Sequence, residues 1–171
     1  IIDVLAYPVN VKVFETGSYS TEDIHMTTGA DALNEATILA KKGRRVQLET
    51  VIGQDDAGKF IQAHCNDAGI MVRDVCIKKD EKTGMNIVLV EQDGTRSFLT
   101  NPHGTLRSLK VEHIQMPFPE SAMIVCFASI FVFPKIGPDK LVQIFSQAKM
   151  QGKIVCADMT KRKKGETLED M

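Results

Sequence analysis

The chain has 171 residues, of which 43% are hydrophobic and 25% are charged, and its formal net charge at pH 7 is −1. This length and composition suffice for one globular domain with a buried core. The near-neutral charge argues against a nucleic-acid or membrane surface, and no apolar run approaches the roughly 20 residues that span a bilayer. The basic run Lys161-Arg162-Lys163-Lys164 is typical of a solvated loop.

The cysteines and histidines give no sign of a metal or disulfide framework. Cys65, Cys76, Cys126 and Cys156 lie far apart, without a Cys-x-x-Cys pair, and the four histidines lack the spacing of metal ligands. The pattern predicts neither structural zinc nor disulfides and indicates reduced thiols in the cytoplasm.

The N-terminal part of the sequence predicts two strands and a helix. Residues 2–5 and 9–14 are apolar or β-branched runs typical of strands, and a polar loop follows them. Over residues 32–42 apolar side chains recur at helical spacing, and Gly43 supplies a C-terminal stop.

A second strand and helix pair follows. Residues 46–52 alternate between apolar and polar side chains as a strand does. Asp55 or Asp56 can then cap a helix, which is predicted to end at Gly69.

The next stretch differs in kind, because it predicts strands without helices. Residues 70–77 and 84–91 have the pattern of strands. The dipeptide Asp93-Gly94 is a preferred hairpin turn, and it separates the second of these strands from another over 96–100. We therefore expect a small β-hairpin that lies outside the main sheet.

The alternation of strand and helix then resumes. Residues 123–127 and 154–157 are continuous apolar runs, as in strands covered on both faces, and a helix between them ends at Gly152. The order of elements predicts an α/β fold: an open-sheet core with a small β-sheet appendage.

The segment that begins at Gly29 carries the functional argument. A glycine lets the backbone come close to a bound group, and Asn34 falls in the first turn of the predicted helix. Free N–H groups and the helix dipole favour oxygen-rich ligands at that position. Because an amide side chain both donates and accepts hydrogen bonds, Asn34 suits the hydroxyl groups of a polyol.

The spacing beyond Asn34 resembles the N-terminal signature of the pfkB family of carbohydrate kinases. That signature has paired glycines, an Asn, and further glycines at the distances of Gly43 and Gly53, the last of which opens a Gly-x-Asp-x-x-Gly stretch that ends at Gly58. Ala30 stands where the family has its second glycine, so the resemblance implies a more crowded backbone there.

The resemblance implies a ribokinase-like fold, a Rossmann-like open sheet with a small β-sheet lid. Residues 1–171 would be the N-terminal part of one kinase domain, with lid strands around 9–14 and 70–100. The lid covers the sugar in this family and often forms a homodimer contact. The C-terminal half, with the catalytic Asp and the nucleotide site, would be absent, so the resemblance assigns no catalytic residue to this chain and implies that it is truncated.

The resemblance also names substrate-binding positions. Gly29, Ala30 and Asn34 come from the signature itself, whereas Asp158 and Arg162 match the ends of an Asp-Pro-Asn-x-Arg segment in fructokinase-like members, although Met159 and Thr160 differ from it. A sugar-binding Asp near the first strand aligns with Val11, and the neighbouring Asn10 is the proposed substitute.

The implied activity is phosphorylation of a sugar hydroxyl by ATP, with Mg²⁺ bound mainly through the nucleotide. The sequence contains no Gly-x4-Gly-Lys-Ser/Thr phosphate loop that could do this job alone. A nucleoside or sugar-acid kinase of the same fold is one alternative, and a non-catalytic binding or dimerisation module is another. A catalytic signature downstream of Met171 would separate the kinases from the module.

Overall fold

The computed structural model describes residues 1–10, 12–130 and 132–159, and every structural statement below refers to these residues. The helices are α1 (Val13–Thr16), α2 (Asp31–Lys41), α3 (Asp56–Ala68) and α4 (Pro138–Met150). None of them is long and apolar enough to cross a membrane. Three short 3-10 turns occupy Asp74–Cys76, Thr105–Arg107 and Val111–His113.

Ten strands accompany these helices. They are β1 (Ile2–Tyr7), β2 (Asp23–Thr28), β3 (Val46–Leu48), β4 (Ile52–Gly53), β5 (Ile70–Val72), β6 (Ile77–Lys78), β7 (Met85–Val90), β8 (Arg96–Thr100), β9 (Ile124–Ile130) and β10 (Ile154–Met159). The pairs β3–β5, β4–β6 and β9–β10 are parallel, as expected where helices connect the strands. The predicted α/β architecture is confirmed.

The remaining strands form one mixed four-stranded sheet in the order β2–β1–β7–β8, which we call the lid sheet. Strand β1 runs antiparallel to β2 and parallel to β7, and β7 forms a hairpin with β8. The hairpin turns at Gly94, whose φ of 87° is in the left-handed region that a glycine adopts without strain. The turn at Asp93-Gly94 is confirmed, but the hairpin is joined to β1 and β2 instead of standing alone.

Two predicted lid segments are wrong. Residues 9, 10 and 12–14 form no strand: the side chain of Asn10 accepts a hydrogen bond from the backbone N–H of Lys12 at 2.9 Å, and α1 begins at Val13. This local bond offers the backbone a turn in place of a sheet partner. Residues 70–77 contribute to the parallel pairs through β5 and β6, so the part of this region that joins the four-stranded sheet is β7 and β8. Strand β2, which the sequence pattern did not predict, completes the sheet.

Helix α2 forms where the spacing of apolar residues places it. Leu33 and Ala36 lie on its buried face, and Gly43, with a φ of 75°, follows its C-terminus. The main hydrophobic cluster packs α2 and α3 against β3 and β5, and it also takes in Ile2 of β1, which is fully buried. A second cluster lies under α4 and β9 and contains Val51, Leu109, Phe118, Phe127, Ile136, Ile144 and Ala148.

The Gly-x-Asp-x-x-Gly stretch forms a closed structural unit, the Asp55 junction, made of Gly53, Asp55, Gly58 and Thr83. The Asp55 carboxylate accepts hydrogen bonds from the backbone N–H of Gly58 at 2.9 Å, and from the N–H and hydroxyl of Thr83 at 2.9 and 2.6 Å. The Thr83 hydroxyl also accepts from Gly53 N–H at 2.9 Å. The junction therefore caps α3 and ties it to the chain segment that leads into β7.

Candidate substrate site

The carboxylate of Asp3, on β1, lies against the glycine that leads into α2. A Cβ placed on Gly29 would be only 2.0 Å from Asp3 Oδ2, so this position cannot carry a side chain while the carboxylate stays where it is. The other oxygen, Oδ1, accepts a hydrogen bond from the Asn86 side-chain amide at 2.9 Å. A side chain at position 29 would therefore displace the Asp3 carboxylate.

The N-terminus of α2 adjoins this contact. Ala30 precedes the helix with φ 76° and ψ 143°, a conformation in which residues other than glycine are strained. Asn34 lies in the first turn, where its N–H donates to the Ala30 carbonyl at 3.0 Å, and its side chain is exposed. The first N–H groups of a helix have no partner within the helix and can donate to a ligand.

The carboxyl ends of β9 and β10 meet the same helix terminus. Ser129, buried near the end of β9, has a φ of 59°; its hydroxyl donates to the carboxylate of Asp31 and its N–H to that of Asp158. A carboxylate accepts several hydrogen bonds, so both acids remain suitable acceptors for hydroxyl groups. We call Asp3, Gly29, Asp31, Ser129 and Asp158 the α2 cluster.

The thiol of Cys126 also faces α2 but does not supply a nucleophile. It donates to the Glu35 carboxylate at 3.2 Å. Burial, this hydrogen bond and the charge of Glu35 raise the pKa of Cys126 to about 12. The thiol therefore stays protonated at neutral pH, and only the thiolate would be reactive.

The predicted site residues separate into three groups. Gly29, Ala30 and Asn34 lie together at the start of α2, and Asp158 joins them through Ser129 and Asp31. Asn10 does not: it borders a different cavity of about 250 Å³, lined by Pro8, Val9, Tyr19, Glu91, Gln92 and Asp93. Arg162 and Val11 lie outside the described residues.

Sequence reasoning missed Asp3 and Asn86. Both are polar residues inside otherwise apolar strands, and this interruption was the available signal. Asp3 is half-buried beside Gly29, so it fits the role of a substrate-binding acid better than Asn10 does. Within residues 1–10, 12–130 and 132–159, no group of three or more His, Cys, Asp and Glu side chains is placed to hold a metal ion.

Comparison with known protein families identifies the family of the chain. The family model described as "pfkB family carbohydrate kinase" matches residues 1–171. The chain belongs to the pfkB family of carbohydrate kinases.

Solved structures show the same ribokinase-like fold. The fructokinase from Xylella fastidiosa aligns with a TM-score of 0.72 and 24% identity, covering 98% of this chain and 53% of that one. The fructokinase from Halothermothrix orenii aligns with a TM-score of 0.74, 19% identity and coverage of 98% and 58%. For the adenosine kinase from Sinorhizobium meliloti the TM-score is 0.75, with 17% identity and coverage of 92% and 53%. The chain thus spans about half the length of these structures.

Proposed function

We propose that the intact protein transfers the γ-phosphoryl group of ATP to a hydroxyl of a sugar-type polyol, and that this chain supplies most of the hydroxyl-binding surface. The observation that carries the proposal is the α2 cluster. Asp31 and Asp158 both accept hydrogen bonds from Ser129, near the carboxyl ends of two adjacent parallel strands, which is where open α/β sheets bind their ligands. The N-terminus of α2 lies at the same place, and Asp3 lies against Gly29, just before that helix.

The described side chains suit a neutral, hydroxyl-rich substrate. Asp3, Asp31 and Asp158 are acceptors for hydroxyl protons, while the first N–H groups of α2 and the Asn34 amide are donors for hydroxyl oxygens. The three carboxylates would repel an anionic substrate, so a neutral sugar or nucleoside fits better than a sugar acid.

Phosphoryl transfer depends mainly on positioning and on neutralising charge at the phosphates. The residues of this chain hold and orient the acceptor hydroxyl. ATP and Mg²⁺ would be bound chiefly by the remainder of the protein, in line with the ATP bound in a Xylella fastidiosa fructokinase structure. Arg162 stays a predicted contact to an oxyanion. The four free cysteines agree with a cytoplasmic enzyme.

A homodimer through the lid sheet is part of the proposal. Side chains of alternate residues share one face of a strand, and on one face of the lid sheet large apolar side chains are exposed: Ile24, Met26, Ile87 and Leu99. A second copy would cover this face. Sedimentation of the intact protein should show a dimer that Leu99→Asp dissociates, whereas a monomeric wild type would reject the contact.

The activity is tested by incubating the intact protein with ATP and fructose, ribose, adenosine or gluconate, and measuring ADP release and product mass. We expect turnover of one neutral substrate. Asp3→Asn should raise its KM about tenfold or more, because a hydrogen bond to a charged group is lost. Preference for adenosine would favour the nucleoside kinase, and no turnover of any compound would favour a non-catalytic module.

A further inference from the structure

The lid sheet carries a row of polar side chains across its four strands. Asp3 of β1 is paired in register with Thr27 of β2 and with Asn86 of β7, and Asn86 is paired with Thr100 of β8. Side chains of directly paired residues point to the same face of a sheet and interact there. The row therefore extends from the α2 cluster onto the lid hairpin.

Hydrogen bonds connect three members of this row in one direction. The Thr100 hydroxyl donates to Asn86 Oδ1 at 2.8 Å, and Asn86 Nδ2 donates to Asp3 Oδ1 at 2.9 Å. A side-chain amide accepts hydrogen bonds at its oxygen and donates them at its nitrogen. When the Asn86 oxygen accepts from Thr100, the Asn86 NH₂ group faces the Asp3 carboxylate. A flipped amide would place its oxygen against the negative charge of Asp3.

The second oxygen of Asp3 lies at the start of α2. Oδ2 lies against Gly29, where a Cβ would be 2.0 Å away. With one oxygen held by Asn86 and the other directed at the start of α2, the plane of the carboxylate is defined by groups from two different parts of the fold. Such precise orientation strengthens binding, because less freedom remains to be lost when the substrate arrives.

We propose that Asn86 is a positioning residue for Asp3, that Thr100 sets the orientation of the Asn86 amide, and that substrate affinity thereby depends on the lid hairpin. The inference rests on the proposed function, since Asp3 is the acid assigned there to the substrate. In a purely structural contact between strands, the same hydrogen bonds would add to stability without affecting substrate affinity.

The test uses the intact protein and compares two substitutions of Thr100. Thr100→Val keeps the shape but lacks the hydroxyl, and Thr100→Ser keeps the hydroxyl. We expect Asn86→Ala to raise the KM for the best substrate about threefold to tenfold with little change in kcat, and Thr100→Val to raise it about threefold, with Thr100→Ser near wild type. Ser97→Ala, a hydroxyl deletion on β8 outside the row, is the control.

A double-mutant cycle separates positioning from a structural role. If Asn86 acts through Asp3, Asn86→Ala adds almost nothing to the KM of Asp3→Asn, whereas independent effects multiply. Multiplicative effects, or equal KM values for Thr100→Val and Thr100→Ser, would overturn the proposal.

An NMR measurement tests the hydrogen bond between Thr100 and Asn86 independently of the proposed activity. The side-chain NH₂ resonances of Asn86, recorded without substrate, should shift in Thr100→Val and stay near wild type in Thr100→Ser. Unchanged resonances in Thr100→Val would refute the relay even in an active kinase. If the resonances shift but Asp3→Asn leaves KM unchanged, the assignment of Asp3 to the substrate fails, and the positioning proposal fails with it.

Discussion

The two ends of the glycine signature have opposite surroundings. At the Asp55 junction the glycines are buried, Thr83 is only 2% exposed, and a single carboxylate takes three hydrogen bonds from the protein. In the α2 segment Ala30 and Asn34 are exposed, and the left-handed conformations of Ala30 and Ser129 are strained. The paired carboxylate of Asp55 indicates a structural role, whereas the strained backbone of Ala30 and Ser129 next to the exposed Asn34 supports the proposed ligand site.

The largest effect should come from closing the space at the junction. A Cβ on Gly58 would lie 1.9 Å from the carbonyl oxygen of Gly53, which is backbone and cannot swing away. We expect Gly58→Ala to lower the free energy of unfolding by about 3 kcal/mol or more, measured by urea denaturation of the intact protein. Gly137→Ala is the matched control, because its Cβ would meet nothing within 4 Å. Equal stability of the two variants would show that the junction is not tightly packed.

Removing the junction's carboxylate should have the next largest effect. Asp55→Ala deletes the cap of α3 and leaves the Thr83 N–H without its acceptor. We expect a loss of about 2 kcal/mol in the free energy of unfolding. Asp56→Ala is the control, since that neighbouring side chain is 98% exposed and bonds only to Lys59. A similar loss in both variants would mean that charge near the helix start, and not the junction, is responsible.

The same carboxylate predicts a pH dependence. Burial opposes ionisation of Asp55, but the hydrogen bonds from Thr83 and Gly58 outweigh it and lower the pKa below its usual 3.8. A lowered pKa in the folded state means that the stabilisation is present above pH 3.8 and is lost as the pH falls through the folded value. Acid unfolding curves of wild type and Asp55→Ala should therefore converge at low pH. Curves that stay parallel would contradict this assignment.

At the α2 segment a substitution should act in the opposite direction. Because Ala30 has φ 76° and ψ 143°, Ala30→Gly should relieve strain and raise the free energy of unfolding by about 1 kcal/mol. The same change at Ala63, inside α3, should instead lower it by about 1 kcal/mol. Thermal unfolding of both variants decides the point, and a loss of stability in Ala30→Gly would disprove strain at this position.

The smallest predicted effect concerns Asn34. Its amide would hydrogen-bond a neutral hydroxyl in the ground state and the transition state alike, so Asn34→Ala should raise KM about threefold to tenfold with little change in kcat. Asn66→Ala, an exposed Asn on α3, is the control and should leave KM unchanged. A fall in kcat alone would instead assign Asn34 to the transition state.

Local patterns allowed α2, α3, α4 and the Asp93-Gly94 hairpin to be predicted, because apolar spacing and turn residues act over a few positions. The strand predicted over 9–14 was wrong. The prediction followed the alternating valines and neglected Asn10, whose side chain forms a turn with the backbone of Lys12. Strand β2 was not predicted although Ile24 and Met26 alternate with polar residues, because four of its six residues are exposed and it has no apolar run typical of a buried strand.

The site was harder to predict than the fold. The signature located Gly29 and Asn34, but Asp3 meets Asn86 from 83 positions away in the sequence. The contact between Asp3 and Asn86 depends on the register between β1 and β7, and the sequence of neither strand alone determines that register. Asp31 and Ser129, 98 positions apart, were overlooked as partners for the same reason.

One strand belongs to both the core and the lid. Along β1, Ile2 is completely buried in the main cluster while Tyr7 is 40% exposed, and Asp3 stands immediately after the buried end. Strand β7 has the same course, with Met85 packed on the core and Asn86 next to it. If the lid sheet rotates relative to the core, the rotation axis passes close to Asp3 and Asn86. Such a rotation moves these two side chains least and the tip of the hairpin most. A substrate bound as proposed at Asp3 would then lie next to the rotation axis, and the far end of the lid sheet would move across it.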